Sequence, residues 1–253
     1  MTQLTAIILT YNEREHIAAC IETLRFADHI LAFDSHSTDG TQQLAQDGGA
    51  QVIEHTFENY PAQRNAALAA VTGKTEWVLF VDADERVSDE LAAEVRRVIA
   101  SENTAAGYNI PRHNYIFGTL TRHTGWYPDY QMRLLRVGRA HYDPAKLVHE
   151  VVVLDDDAPG TLENPLIHYN YKDVVQFGEK QRRYSAYDAE ILYQQGVRPK
   201  WYTLLSMPVR HFIWRFVTLN GYRDGWHGLY LSLLMARYEF RKYRLLWEMY
   251  QTA

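Results

Sequence analysis

Asp82, Asp84 and Glu85 place three carboxylates within four positions, directly after residues 77–81, which carry no polar side chain. Carboxylates this close repel one another unless a cation or a proton sits between them. In an extended segment Asp82 and Asp84, two apart, point the same way, so the pair reads as ligands of a hard divalent ion. Oxygen donors favour Mn2+ or Mg2+, which commonly bridge to substrate phosphates. The competing reading is a solvated acidic turn that caps the next helix, for which Ser88 and Asp89 supply the groups. Two more residues stand where ligand chemistry is expected. Asp34 ends the apolar stretch 30–33 as Asp82 ends 77–81. Arg64 falls in the first turn of an alanine-rich helix, where the helix dipole disfavours a cation and an anionic ligand would compensate it.

The elements that must position these groups are legible in the pattern. Residues 77–81 suit a strand covered on both faces at the centre of a parallel sheet, whose carboxyl end borders a ligand crevice. Residues 5–9 form a first strand, and Thr10, Tyr11, Asn12 and Glu13 end it before a helix whose inner face is Ile17, Ile21 and Leu24. Strands at 30–33 and 51–53 follow, separated by a helix that Ser37, Thr38 or Asp39 can cap. A further helix opens near Tyr60 and closes at Gly73, and one with Leu91, Val95 and Val98 facing inward follows the acids. Alternating strands and helices over a hundred residues imply an α/β fold with a doubly wound, mostly parallel sheet. No Gly-x-Gly-x-x-Gly and no phosphate-loop lysine motif occurs, so neither a dinucleotide fold nor a P-loop enzyme is supported.

The chain has 253 residues, 47% of them hydrophobic, enough for a sizeable core, and a single cysteine, Cys20, that fits a reducing compartment. No secretory leader is visible and no apolar run reaches the ~20 residues that span a bilayer, so the expected location is the cytoplasm or the cytoplasmic face of the inner membrane. Its net charge of -5 hides a division. Residues 196–253 carry nine Lys/Arg against three Asp/Glu, +6, and leave -11 for residues 1–195. That basic tail also holds four of the six tryptophans, a combination that suits anionic lipid headgroups. Nucleic acid is disfavoured, because the acidic body would repel it. In the tail, Leu229, Leu233, Ala236, Phe240, Tyr243 and Trp247 share a predicted helix face, with Arg237, Arg241 and Arg244 as a basic stripe. Such a helical, amphipathic extension can pack, pair two copies into a homodimer or lie in a membrane interface.

From Gly107 the pattern changes to short strands and aromatic loops, ending in a helix that Asp173 caps and that runs to about Gln195. Residues 112–115 and 125–129 offer planar rings beside hydrogen-bonding groups, which suits a sugar; Trp126, Arg133 and His149 are the expected acceptor-binding residues. Glu150 and Asp129 are the candidate catalytic bases. Glu150 lies in an apolar stretch, 147–153, where a carboxylate needs either a partner, such as Arg133 or Arg136, or a task. Asp129 lies in a Pro-containing loop beside Trp126.

The 10–13, 34–41, 62–65 and 82–84 segments, in this order and spacing, resemble the family 2 inverting glycosyltransferases of the GT-A fold. Residues 131–134, His149-Glu150, His168-Tyr169 and Asp224-Gly225 further resemble the bacterial lipopolysaccharide-core glucosyltransferase-like branch. The resemblance implies that Thr10, Tyr11, Glu13, Asp34 and Arg64 hold the nucleotide-sugar, with Asp34 on the base, and that Asp82 and Asp84 take the ribose and the metal. It implies a metal-dependent transfer of a hexose, glucose first among them, from a UDP-sugar to a lipid-linked saccharide. The alternatives are a polyprenyl phosphate or other glycan acceptor, a noncatalytic nucleotide-sugar-binding protein, and, more remotely, a metal-dependent phosphohydrolase. On this reading residues 1–195 are the transferase domain, with 1–105 for the donor and 106–195 for the acceptor, and 196–253 are the tail.

Overall fold

Hydrophobic stretches bounded by turn residues become strands wherever neighbours can complete their hydrogen bonds, and the computed structural model shows which do. It describes residues 3–101, 104–145, 151–155 and 158–252. In chain order the elements are β1 (Leu4–Thr10), α1 (Ile17–Thr23), β2 (His29–Asp34), α2 (Thr41–Asp47), β3 (Gln51–Glu54), α3 (Tyr60–Val71), β4 (Trp77–Asp82), β5 (Glu85–Arg86) and α4 (Asp89–Ile99). Then come β6 (Gly107–Ile116), β7 (Thr119–Leu120), β8 (Tyr130–Arg136), β9 (Ala140–Tyr142), β10 (Val152–Leu154), β11 (Gly160–Thr161), β12 (Leu166–Tyr171), α5 (Val174–Gln194), α6 (Thr203–Ile213) and α7 (Gly225–Thr252). The chain divides into two compact units, residues 1–112 with 129–168, and residues 113–128 with 169–253.

In the first unit the strand order is β3-β2-β1-β4-β8-β6, parallel from β3 to β4 and antiparallel beyond. Side chains alternate across the pleat. Leu4, Ala6, Ile8, Trp77, Leu79 and Val81 face one way, against Ile17 and Ile21 of α1 and Leu91 and Val95 of α4. Ile7, Phe33, Val78 and Phe80 face the other way, against Ala67, Leu68 and Val71 of α3. The sheet is thus covered on both faces, as the unbroken apolar character of 77–81 required. Register brings Thr10 beside Asp34 and Leu9 beside Asp82, so the strand-end groups share one edge. The strand ends at Asp82, and Ala83 and Asp84 form a turn, so the extended geometry that would aim both aspartates alike is not what the chain adopts. The strand expected over 147–153 is seen only as β10, 152–154; His149 and Glu150 lie outside the described residues.

In the second unit α5 begins at Asp173, whose Oδ1 accepts the Gln176 N–H at 2.8 Å, as the sequence required. A π-helical turn, 214–218, and a 3-10 turn, 221–224, link α6 to α7. The face of α7 differs from the expected one. Leu231, Leu234, Tyr243 and Leu246 are buried, whereas Leu233 and Phe240 are exposed. Apolar residues run most of the way round this 28-residue helix, so sequence period does not single out a face; packing against α5 and α6 does. No described helix is long and apolar enough to cross a membrane.

Candidate active site

Short polar segments after apolar strands must satisfy their own backbone groups, and here they do so by tying two loops together. Asp34, wholly buried, accepts the Ser37 N–H at Oδ1 (2.8 Å) and the Gln42 Nε2–H at Oδ1 (2.9 Å). Its Oδ2 accepts the hydroxyls of Ser37 (2.6 Å) and Thr10 (3.2 Å). Asn12, at φ +56°, donates its N–H to Ser37 Oγ and accepts the Thr38 N–H at Oδ1, and the Glu13 N–H donates to Thr41 Oγ1. The ring of Tyr11 projects from this platform, 63% exposed. A carboxylate has about four acceptor positions, and those of Asp34 are all taken, so a base N–H would have to displace one of these donors. We therefore expect Asp34→Asn to lower stability by about 1.5–3 kcal/mol, the range for hydrogen bonds to a charged group, and to weaken nucleotide binding through the loosened turn. Chemical denaturation with and without UDP checks this; an unchanged midpoint would show that the carboxylate does not organise the turn.

Successive residues of α3 point about 100° apart and so serve three purposes. Gln63 Oε1 accepts from His55 Nδ1–H (2.8 Å), and its Nε2–H donates to Ser35 Oγ (3.1 Å). Asn65 exchanges two hydrogen bonds with the Tyr142 backbone, both 2.8 Å. Arg64 lies over the Phe80 and Tyr142 rings, 5.1 and 5.5 Å from their centroids, and reaches Asp82 Oδ1 at 3.4 Å. The cation thus has a protein counter-charge.

Asp82 is gripped by Arg133, whose Nη1 lies 3.2 Å from Oδ1 and whose Nη2 contacts Oδ2. Arg133 Nη2 also reaches Glu85 Oε1 (3.2 Å), Arg112 Nη1 reaches the same oxygen (3.3 Å), and Arg112 Nη2 and Nε hold Asp129 Oδ2 (2.6 and 2.9 Å). The result is an alternating chain, Arg64–Asp82–Arg133–Glu85–Arg112–Asp129. Glu85, fully buried, also accepts the Asp82 N–H at 2.9 Å, which locks the turn. Desolvation pushes the Asp82 carboxyl up, but the guanidiniums of Arg133 and Arg64 outweigh it and hold the group well below the usual carboxylate range. Arg133 is likewise opposed by desolvation and held protonated by Asp82 and Glu85.

Asp84 stands outside that chain. Its Oδ2 lies 3.5 Å from His168 Nε2, a residue brought alongside by the β5–β12 pairing of Glu85 with His168. Among the described residues His168 is its one ion-pair partner, and no group of three His, Cys, Asp or Glu is poised to enclose a metal. A carboxylate and an imidazole that leave most positions open fit an ion held jointly with a substrate diphosphate.

The sequence model of the family described as "Glycosyl transferase family 2" matches residues 5–151, more than half of the chain. This chain belongs to glycosyl transferase family 2. It is 29% identical over 248 residues to the "lipopolysaccharide core biosynthesis glycosyltransferase LpsC" of Rhizobium meliloti, covering 94% of this chain and 89% of that one. It is 25% identical to an uncharacterised glycosyltransferase of Rickettsia bellii, covering 92% and 82%. Among solved structures, S. aureus TarS 1–349 aligns over 99% of this chain and 92% of its own at 15% identity and a TM-score of 0.46. Mycobacterium tuberculosis glucosyl-3-phosphoglycerate synthase, in complex with Mn2+, UDP and glucosyl-3-phosphoglycerate, aligns over 79% and 82% at 14% identity and a TM-score of 0.48.

In this family 2 transferase, the structure brings Thr10, Asp34, Arg64, Asp82, Asp84, Arg133 and Asp129 into one unit, and Tyr11 and Glu13 sit on the same loop. Arg133, expected at the acceptor, is 4% exposed and engaged by acids. Trp126 belongs to the second unit, in a cluster with Tyr171 and Phe177, and its ring is 6.0 Å from that of Tyr171. Sequence reasoning gave no role to Glu85 or Arg112, although both occur in stretches it singled out; what marks Glu85 is full burial, which residue order does not show.

Proposed function

We propose that this glycosyltransferase is metal-dependent and inverting, and that it moves a hexose, glucose first among the candidates, from a UDP-sugar to a lipid-linked saccharide. The observation that supports this reading is the contrast between Asp82, whose carboxylate is saturated by guanidiniums, and Asp84, whose one ion-pair partner among the described residues is His168. Asp84 and His168 would hold Mn2+ or Mg2+, and a bound ion would supply Lewis-acid neutralisation of a diphosphate leaving group. Asp82 keeps Arg64 and Arg133 in place at the rim, Tyr11 offers a ring on which a planar base can stack, and the buried Asp34 network holds that ring's loop. Inversion needs no covalent enzyme intermediate: a base removes the proton of the acceptor hydroxyl while that oxygen attacks the anomeric carbon opposite the leaving group. Glu150 and Asp129 remain the two candidates, and Asp129 would first have to exchange its Arg112 and Gln131 contacts for the hydroxyl.

A panel of nucleotide-sugars tested by thermal stabilisation with and without Mn2+ examines this directly. A genuine donor stabilises the protein by about 2.7 kcal/mol at a hundredfold excess over Kd. No stabilisation by any UDP-sugar in the presence of metal would overturn the reading.

For the acceptor, α6 and the turn after it supply the supporting feature. Trp201, Leu205, Val209, Ile213 and Val217, four apart, are 49–71% exposed. Residues 196–223 carry five Lys/Arg and no Asp/Glu. An apolar stripe with tryptophan in a wholly basic stretch suits an anionic bilayer interface, each basic side chain contributing about 1 kcal/mol. Flotation with phosphatidylglycerol vesicles at low and high salt is expected to show binding that salt weakens. Failure to float at low salt, with a dimer in solution, would assign the stripe to a second copy.

A further inference from the structure

Helices α5 and α7 border a half-open cavity of about 300 Å³ lined by Arg182, Arg237, Arg241 and Arg244, with Glu248 and Tyr238 among the other walls. None of the Asp82–Asp84 residues lines it. Gly178 lets the helices close here: a Cβ at that position would lie 2.9 Å from the Tyr238 hydroxyl and 3.7 Å from Arg182 Nη1.

Four guanidiniums against one carboxylate leave the walls with a charge of +3. Arg244 Nε is paired with Glu248 at 2.8 Å. Arg182, Arg237 and Arg241 have no acidic partner among the described residues, and Arg241 Nε is buried without a hydrogen-bond acceptor. Arg237 and Arg241 are four apart on α7, and Arg241 and Arg244 three apart, spacings at which like charges destabilise a helix. Arg182, from a second helix, adds to this set of like charges, and an anion among them would relieve the repulsion. Guanidinium forks match phosphate oxygens two at a time, which sets the class of anion.

We infer that this cavity is a phosphate-binding site, taking a phosphomonoester or diphosphate group. The group can belong to a soluble phosphorylated molecule or to a lipid headgroup, and the chemistry at the arginines is the same for both.

The test uses the full chain in EDTA, so that no divalent ion assists binding at the Asp84 rim. Calorimetry with sodium phosphate and sodium pyrophosphate is compared with cosedimentation on phosphatidylcholine vesicles with and without phosphatidic acid. Wild type is expected to bind at least one probe, and Arg182→Gln/Arg241→Gln to weaken that binding tenfold or more. Arg241→Lys, which keeps the charge but loses the fork, should fall between them. Loss confined to the soluble probes identifies a soluble ligand, and loss confined to the vesicles identifies a lipid headgroup. In anion-free buffer the double variant should melt no lower than wild type, because it removes repulsion. UDP–Mn2+ affinity should be unchanged; phosphate binding that depends on these arginines in a protein that ignores UDP–Mn2+ would sink the proposed donor and leave this site standing. Equal binding of all probes by wild type and double variant overturns the inference, as does a variant that loses UDP–Mn2+ binding in parallel.

Discussion

Replacing Asp84 by Asn is expected to reduce glycosyl transfer about a thousandfold, ~4 kcal/mol of transition-state stabilisation, while leaving the fold intact. The size follows from the proposed role: an ion that neutralised a leaving diphosphate would contribute several kcal/mol, and an amide is a far weaker ligand than a carboxylate. The fold should tolerate the change because Asp84 lies in a turn and its ion-pair partner is His168 at 3.5 Å, whereas Asp82 and Glu85 carry the local network. A partly exposed pair of this kind is worth at most about 1 kcal/mol. Calorimetry with UDP, with and without Mn2+, should show the metal-dependent increment disappearing in the variant. If the increment survives and turnover stays near normal, Asp84 is only part of the turn before α4, whose cap is Ser88.

Arg133→Ala should destabilise the first unit strongly, by about 3 kcal/mol. The arginine is 4% exposed and bridges Asp82 to Glu85, so its removal leaves, among the described residues, Arg112 as the cation on a fully buried glutamate and Arg64 as the cation on the aspartate. Urea denaturation measures the loss; a change below about 1 kcal/mol would mean that Arg64 and Arg112 re-close the network. Acid should act on the same network. The folded-state pKa of Asp82 lies below its unfolded value, so its stabilisation is complete above the ordinary carboxyl pKa of about 4 and is lost as pH falls from there toward the depressed value. Asp82→Asn should therefore flatten the decline of stability below about pH 4 relative to wild type. Parallel declines in the two proteins would place the acid sensitivity elsewhere.

Much of the architecture depends on short-range pattern, and that part was legible in residue order. The apolar run at 77–81 demanded burial on both faces and received it between β1 and β8. Asp173 placed the start of α5, and the order of the four motifs gave the family that the sequence model supports. These features follow from steric period, capping and turn chemistry, all of which act within a few residues.

What only the tertiary structure decided involves partners far apart in the chain. Arg133 meets Asp82 across 51 positions and Arg112 meets Glu85 across 27, and His168 reaches Asp84 only because β12 pairs with β5. Periodicity says nothing about such pairings, so sequence could present Asp82 and Asp84 as equal ligands but could not show that two arginines claim the first. Asp34 is similar: its position at a strand end was visible, and the four donors that converge on it were not. On α7 the apolar residues are too many for sequence to pick a face, and the arginine stripe became a cavity wall only when Arg182 arrived from α5. Local sequence determines which groups each element carries; which of them meet is set by chain closure over long separations, where burial and charge pairing choose among arrangements that residue order leaves equivalent.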